Sequence, residues 1–456
     1  MPAAESPVRP RHGAFVFESV ELTSRRIVLR YVLAGGPDRD IALTEVIELP
    51  SSLPAPVPGD PIVRELLNGI HRVMGVSYFK TAVPREIVAE PTSPADAEFW
   101  DTLYTEGLGE FYYRNALPPL ATPLFPRMEQ PSVVSAARPA AAERALVLVG
   151  GGKDSIVARE IARHADVPCD GFALGGAPWI TRSAHAMGIQ LLTSQRVLDP
   201  QLGVLNASGA YNGHVPISAC IAFVATLVAY LGGHSSVVVA NERSADEGNT
   251  TWNGLHINHQ WSKSLDFERA FQAWCSRRLP NGPVYFSLLR PLSEVRIAKE
   301  FVRYPQYLAS FASCNANFRQ RPSSEPARWC GSCPKCVFVQ LIFAPLMDDA
   351  TLSSTFGRRF IDDESNRALL EELTGVSGIK PFECVGTASE SLGALAMLQK
   401  QGRLHGTLAS WYLQRWGEQS DSLVRQWHEL LLPSGESCIP EAWEKRLHAY
   451  LGPDRP

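Results

Sequence analysis

Leu146-Val147-Leu148-Val149-Gly150-Gly151-Gly152-Lys153-Asp154-Ser155 is the stretch on which the fold turns. Its four apolar residues read as a buried parallel strand, and the glycines as a tight turn. A helix is expected from about Asp154, carried by Ile156, Val157 and Ile161. Strand, glycine turn and helix N-terminus in succession make an anion cradle, because free backbone N–H groups and the positive end of the helix dipole converge there. A Walker A loop needs glycine where Val147 stands, and a dinucleotide fingerprint needs it where Ser155 stands.

Downstream the pattern continues as β-α-β-α-β. Strands are expected at 171–174, 189–193 and 237–240, with a helix over 179–187. Such alternation implies an α/β fold, a parallel sheet covered by helices, with ligands at the carboxyl ends of the strands. The glycine loop, Gly175 and the Asn241-Glu242 pair all fall at such ends. The uncharged run 215–231 carries Pro216, Ser218, Cys220 and Thr226, which favours a helix buried against the sheet over a membrane span.

Upstream, 14–17, 27–33 and 41–49 read as strands, with a Gly35-Gly36-Pro37-Asp38 turn between the last two. A helix starts near Pro61. The stretch 107–115 mixes aromatic and charged residues closely, as a binding surface or a packed one would. Residues 117–143 are rich in proline and alanine without sustained period and read as a linker. Beyond Pro345 four apolar stripes recur at helical spacing, and their tryptophans read as core. The expected organisation is an N-terminal α+β domain with linker (1–140), an α/β domain carrying the glycine loop and the clustered cysteines (141–345) and a C-terminal helical region (346–456).

The 456 residues carry a net charge of −4 and are 45% hydrophobic, a globular balance that argues against a large nucleic-acid surface. The first twelve residues lack the apolar core of a signal peptide. Nine cysteines are too few for a disulfide scaffold of this size, and the expectation is a reduced, cytoplasmic protein without membrane insertion.

Four of those cysteines cluster. Cys330, Cys333 and Cys336 share one tight turn, and Cys314 lies upstream, a spacing that suits one tetrahedral structural zinc ion. Asn206, Asn212-Gly213-His214, Asn241-Glu242-Arg243-Ser244 and Asn258-His259-Gln260-Trp261-Ser262-Lys263-Ser264 bring polar groups to the strand ends. Such groups can hold magnesium, clamp phosphate or move protons. Arg290, before a helix starting near Pro291 or Ser293, suits a phosphate or a carboxylate. Cys384 stands just before another helix, where a thiol acidifies and can act as base or nucleophile.

Gly-Gly-Lys-Asp-Ser after a strand resembles the loop of the ATP-pyrophosphatase (PP-loop) family, spelled Ser-Gly-Gly-x-Asp-Ser, with Gly150 in place of its first serine. That family splits ATP into AMP and pyrophosphate. Together with Asn212–Pro216, Asn241–Ala245, Asn258–Ser264, Leu289–Glu294, the cysteine cluster and Phe382–Thr387, the loop resembles the MurL-type UDP-N-acetyl-α-D-muramoyl-L-alanyl-L-glutamate epimerases over most of the chain. The resemblance implies a PP-loop (HUP-like) fold and ATP- and Mg²⁺-dependent inversion of a terminal L-Glu by way of an adenylated carboxylate. It implies ATP on Gly150, Gly151, Gly152, Lys153, Asp154 and Ser155, with Gly175, Asn241, Glu242 and Arg290 nearby. Lys153 would balance charge on the leaving pyrophosphate. Cys384, His259, His214 and Lys263 are the candidate catalytic residues. Two alternatives stand beside it: a nucleobase-modifying PP-loop enzyme, like a 7-cyano-7-deazaguanine synthase or a transfer-RNA thiolase, and an ATP-binding module without turnover.

Overall fold

The computed structural model describes residues 12–36, 39–57, 59–118, 124–129, 143–318 and 328–452. Much of the expected linker, the Pro37-Asp38 half of the first turn and most of the N-terminal dozen lie outside them. The strands are β1 (Ala14–Thr23), β2 (Arg26–Ala34), β3 (Ile41–Glu48), β4 (Glu86–Val88), β5 (Ala145–Leu148), β6 (Cys169–Leu174), β7 (Leu191–Val197), β8 (Ser236–Val239), β9 (Thr250–Trp252), β10 (Leu255–Ile257) and β11 (Val284–Ser287).

Nine of them form one sheet in the order β11-β8-β5-β6-β7-β3-β2-β1-β4, and β9 and β10 make a separate hairpin. The β11-β8-β5-β6-β7 half is parallel, as the alternating pattern predicts. The other half is not: β3 pairs with β7 antiparallel, as do β2 with β3 and β1 with β2. The parallel sheet is therefore present over the expected residues, and the N-terminal strands extend it into a larger sheet that is mixed, though mostly parallel. The sheet also runs without a break across the expected division at residue 141. Alternation along a strand marks its two faces but carries no information about which edge it joins.

The two faces bury different residues of the same strands. Ala145, Val147, Val238 and Phe286 pack beneath the helices Lys153–His164, Glu294–Phe301, Pro334–Phe343 and Ala388–Lys400. Leu146, Val237, Val239 and Tyr285 pack on the other side, against Pro61–Phe79, Ile217–Gly232 and Leu265–Arg278. The uncharged run is therefore a core helix, and no helix among the described residues is long and apolar enough to cross a membrane. The expected C-terminal stripes form helices Ala388–Lys400, Gly406–Trp416, Ser420–Leu430 and Glu441–Leu451, whose Trp411, Trp427 and Trp443 are buried.

From β5 the chain moves through β6 and β7 towards one edge, then returns to place β8 and β11 on the other side. The strand order thus reverses next to β5. Open α/β sheets take their ligands outside the carboxyl ends of the strands at such a reversal. The glycine loop and Asn241-Glu242 leave the sheet at this point.

Candidate active site

The loop after β5 is shaped by its glycines. Gly151 has φ +80°, and a Cβ there would press within 3.3 Å of the Trp179–Ile180 backbone. Gly152 is the N-cap of the helix Lys153–His164 and contributes no side-chain cap, so the first N–H groups of that helix are not taken by a capping side chain. From behind, the loop is braced by the segment leading to Cys314: Ala312 N–H donates to the Gly151 carbonyl at 2.9 Å, and a Cβ on Gly152 would meet Ser313 Oγ at 3.0 Å. At Gly150 a Cβ would meet nothing within 4 Å. A serine would fit there, so glycine at 150 has no steric cause.

Lys153 does not face outward. It is 1% exposed and pairs with Asp154 and with the equally buried Glu294, whose other oxygen lies 3.6 Å from Lys335 Nζ. Burial alone would raise the Glu294 carboxyl, but the ammoniums of Lys153 and Lys335 hold it well below the ordinary range. Glu242, beside them, is pushed up by burial and then by the charge of Glu294. Glu390 is pushed up to about 7 for the same two reasons. Its carboxyl accepts the backbone N–H groups of Glu294 and Thr387, both at 2.7 Å, closing a capping box with Thr387.

Next to this group stands Cys384, with Sγ 3.1 Å from Lys263 Nζ. Burial would raise the thiol, but the Lys263 ammonium and a hydrogen bond from His259 bring it down to about 5. His259 answers in the opposite sense. Burial lowers it, yet its hydrogen bonds to Cys384 and Glu110 carry it up to about 9. His214 sits with its ring 4.7 Å from that of His259 and its Nδ1 3.3 Å from Glu110 Oε2. Burial and then the His259 charge push it down to about 3. At neutral pH the site holds a thiolate, an imidazolium and a neutral imidazole in contact. The donor atoms of Glu110, His214 and His259 all lie within 4.8 Å of one another. Arg114 holds Glu110 Oε1 and the imidazolium holds Oε2, so Glu110 is hydrogen-bonded on both oxygens while His214 lies against it.

Several residues hold these groups in place. Asn249 accepts the His259 N–H and donates to the Pro381 carbonyl, both at 2.7 Å, so one amide ties the histidine to the Cys384 loop. Arg290, 1% exposed, donates to the carbonyls of Glu242 and Lys263 and pairs with Glu268. It is thus engaged inside the protein, fixing Lys263 and Glu242, and does not present its fork to the crevice. Lys80, lowered to about 8 by burial, donates to Asn212 Oδ1 and to the Gly213 carbonyl, fixing the loop that carries His214. Asn258 is satisfied within the fold by Ala245 and Gln260, and Asn241 lends its carbonyl to Ser287. Gly175, with φ +98°, ends β6 in open space.

The structure thus brings all four candidate catalytic residues together and turns Lys153 and Arg290 inward. Sequence reasoning missed Glu110, Asn249, Glu294, Lys335 and Glu390 as parts of the site. Only Glu110 lay in a stretch, 107–115, whose mixed character pointed to binding.

Cys314, Cys330, Cys333 and Cys336 converge as their spacing predicts, with all four sulfurs within 4.8 Å of one another. Cys330 and Cys336 are 3.8 Å apart. A tetrahedral site with Zn–S bonds of about 2.3 Å needs sulfurs about 3.8 Å apart, so the set fits zinc. Replacing Cys314 by serine is expected to lower the bound metal, counted by elemental analysis, well below one ion per chain. It should also cost about 2–5 kcal/mol in a denaturation series, as loss of a native cross-link does. Unchanged metal content would show that the cluster is not the site.

A glycine loop at a strand reversal, beside a buried thiolate–imidazolium pair, defines an α/β enzyme. The MurL N-terminal domain model matches residues 8–288, and the MurL C-terminal domain model matches 310–421. The chain belongs to the MurL family. It is 42% identical over 398 residues to a UDP-N-acetyl-alpha-D-muramoyl-L-alanyl-L-glutamate epimerase from Micromonospora sp., covering 86% of this chain and 88% of that one. Proteins of the same name are 40% identical in Xanthomonas oryzae pv. oryzae, covering 84% and 86%, and 40% identical in Salinispora tropica, covering 86% of each chain.

Proposed function

We propose that this protein inverts the terminal L-Glu of UDP-MurNAc-L-Ala-L-Glu to D-Glu, in the cytoplasm, as a step of peptidoglycan precursor synthesis. ATP is the second substrate, and AMP and pyrophosphate are the products. The observation that carries the reading is the cluster of Cys384, His259, His214 and Lys263 beside the glycine loop, in a chain that matches epimerases over most of its length.

The chemistry asks for both parts. A carboxylate resists loss of its α-proton, because the product is a dianion. Transfer of AMP to that carboxylate removes its charge and makes the neighbouring carbon acid far stronger. In this reading the N–H groups at Gly150–Ser155 receive the phosphates, and Gly175 leaves room for the nucleoside. Asp154 and Glu242 are the carboxylates suited to Mg²⁺. Glu242 is already strained by the charge of Glu294, which an added cation relieves, and Mg²⁺ there would offset charge on the phosphates. Lys153 supports the loop from beneath, and Arg290 holds Lys263 and Glu242 in register. The four-residue cluster then serves proton removal and return at the α-carbon. A cleft of about 430 Å³ beside the Cys384 loop, lined by Arg114, Lys380 and Phe382 among others, is the approach for a large substrate.

Incubation of the protein with ATP, Mg²⁺ and the UDP-MurNAc-dipeptide tests this. Chiral analysis of the released glutamate should give D-Glu, with AMP formed alongside. Neither D-Glu nor AMP would end the proposal. AMP without D-Glu would move the reading to another adenylating reaction.

A further inference from the structure

We propose that Cys384 takes the glutamyl group from AMP and carries it as a thioester while its α-carbon is inverted. This rests on the adenylation reading above and goes beyond it by removing Cys384 from the proton carriers.

The geometry is that of a nucleophile with its own base and orienting acid. Cys384 is hydrogen-bonded to His259, and His259 Nδ1 is hydrogen-bonded to Glu110, whose second oxygen is held by Arg114. A thiol, an imidazole and a carboxylate in series are what activates acyl transfer. Lys263 closes the other side of the sulfur at 3.1 Å. Cys384 is half-buried as a residue, and its neighbours Phe382 and Glu383 line the cleft through which an acyl carbon would approach.

The same surroundings make Cys384 a poor base. A group that holds its proton only below about pH 5 accepts one reluctantly from a carbon acid. Nucleophilicity of a thiolate falls much less steeply with its pKa, with a Brønsted slope of about 0.4–0.5. Two cations around the sulfur therefore weaken it as a proton acceptor more than as an attacking group.

The steps balance. Thiolate Sγ attacks the acyl carbon of the adenylated glutamate. The bond from that carbon to the phosphate oxygen breaks, and AMP leaves with the electron pair. With the thiolate consumed, the largest support for the His259 proton is gone, and the ring passes it to the departing phosphate. The thioester carbonyl keeps the α-carbon acidic, and His214, His259 and Lys263 remain to remove and return its proton. Neutral His259 then takes a proton from water, the oxygen adds to the carbonyl, and the C–S bond breaks. Thiolate, imidazolium and free carboxylic acid result.

Acid-quenched turnover mixtures of the wild type, and of a His259→Ala variant in which deacylation is slowed, should show an adduct of the substrate's mass less one water. It should map to the peptide containing Cys384, disappear with neutral hydroxylamine and be absent from Cys384→Ala. AMP and D-Glu formation with no adduct in either protein would overturn the thioester and leave the adenylation reading standing. D-Glu formation by Cys384→Ala would do the same. Absence of both AMP and D-Glu from the wild type would overturn the two together.

Discussion

Replacing Lys153 by methionine is expected to lower folding stability by about 3–5 kcal/mol and to remove measurable ATP binding. The lysine and Glu294 are both 1% exposed, so the single change leaves a carboxylate in the interior with Lys335, at 3.6 Å, and the charge of Lys263 to answer it. Glu242 and Glu390 lie close enough for their charges to be felt. The uncompensated negative charge sits at the base of the loop proposed to receive phosphate. The double change Lys153→Met, Glu294→Met should recover most of the stability, because an apolar pair does not strand a charge. It should recover little of the binding. Urea denaturation measures the first, and calorimetric titration with a non-hydrolysable ATP analogue the second. A single variant that loses less than about 1 kcal/mol would show that the pair is not the keystone of the loop.

A second large effect belongs to His259. Its replacement by alanine should reduce turnover about a thousandfold, within the roughly 10²–10⁴ that a positioned acid–base group contributes. The pH profile gives the sharper reading. In the wild type, kcat/KM should rise as pH passes about 5, where Cys384 becomes a thiolate, and fall as it passes about 9, where His259 loses its proton. Removing His259 takes away one of the cationic partners that lower the thiol. The acid limb should move upward but stay below the value of an ordinary thiol, since Lys263 remains. Iodoacetamide labelling of Cys384 against pH reads this limb without turnover. An unmoved limb in the variant would mean that His259 does not set the state of the sulfur.

What the sequence made legible has a common cause. The strands at 146–149 and 237–240, the core helix after Pro216, the glycine loop and the cysteine cluster are all written in neighbouring residues. Periodicity, turn chemistry and ligand spacing are local signals. The edge that β3 shares with β7 is not local, and the expectation of a separate N-terminal domain followed from that blindness. The resemblance gives Lys153 as balancing charge on pyrophosphate, and the fork of Arg290 suits a phosphate or a carboxylate. Neither is exposed, because Glu294 and Glu268 lie against them, 141 and 22 positions away. Glu110, Asn249 and Glu390 were missed for the converse reason. Each is an ordinary polar residue until a distant partner gives it a task. The four candidate catalytic residues are legible as candidates from the residue types in three stretches and a resemblance; the structure puts them in contact, and their charge states follow from those contacts.

Glu110, His259 and Cys384 stand 149 and 125 positions apart, so the relay is assembled from stretches made at very different times. As the chain leaves the ribosome, strands, glycine loop and both cationic side chains are complete long before the sulfur exists. A nascent or truncated chain that ends before residue 384 holds Lys263 and His259 without the anion that settles both. The sulfur therefore enters the relay only with the last sixth of the polypeptide, and a chain that ends before it cannot assemble the series Cys384, His259 and Glu110.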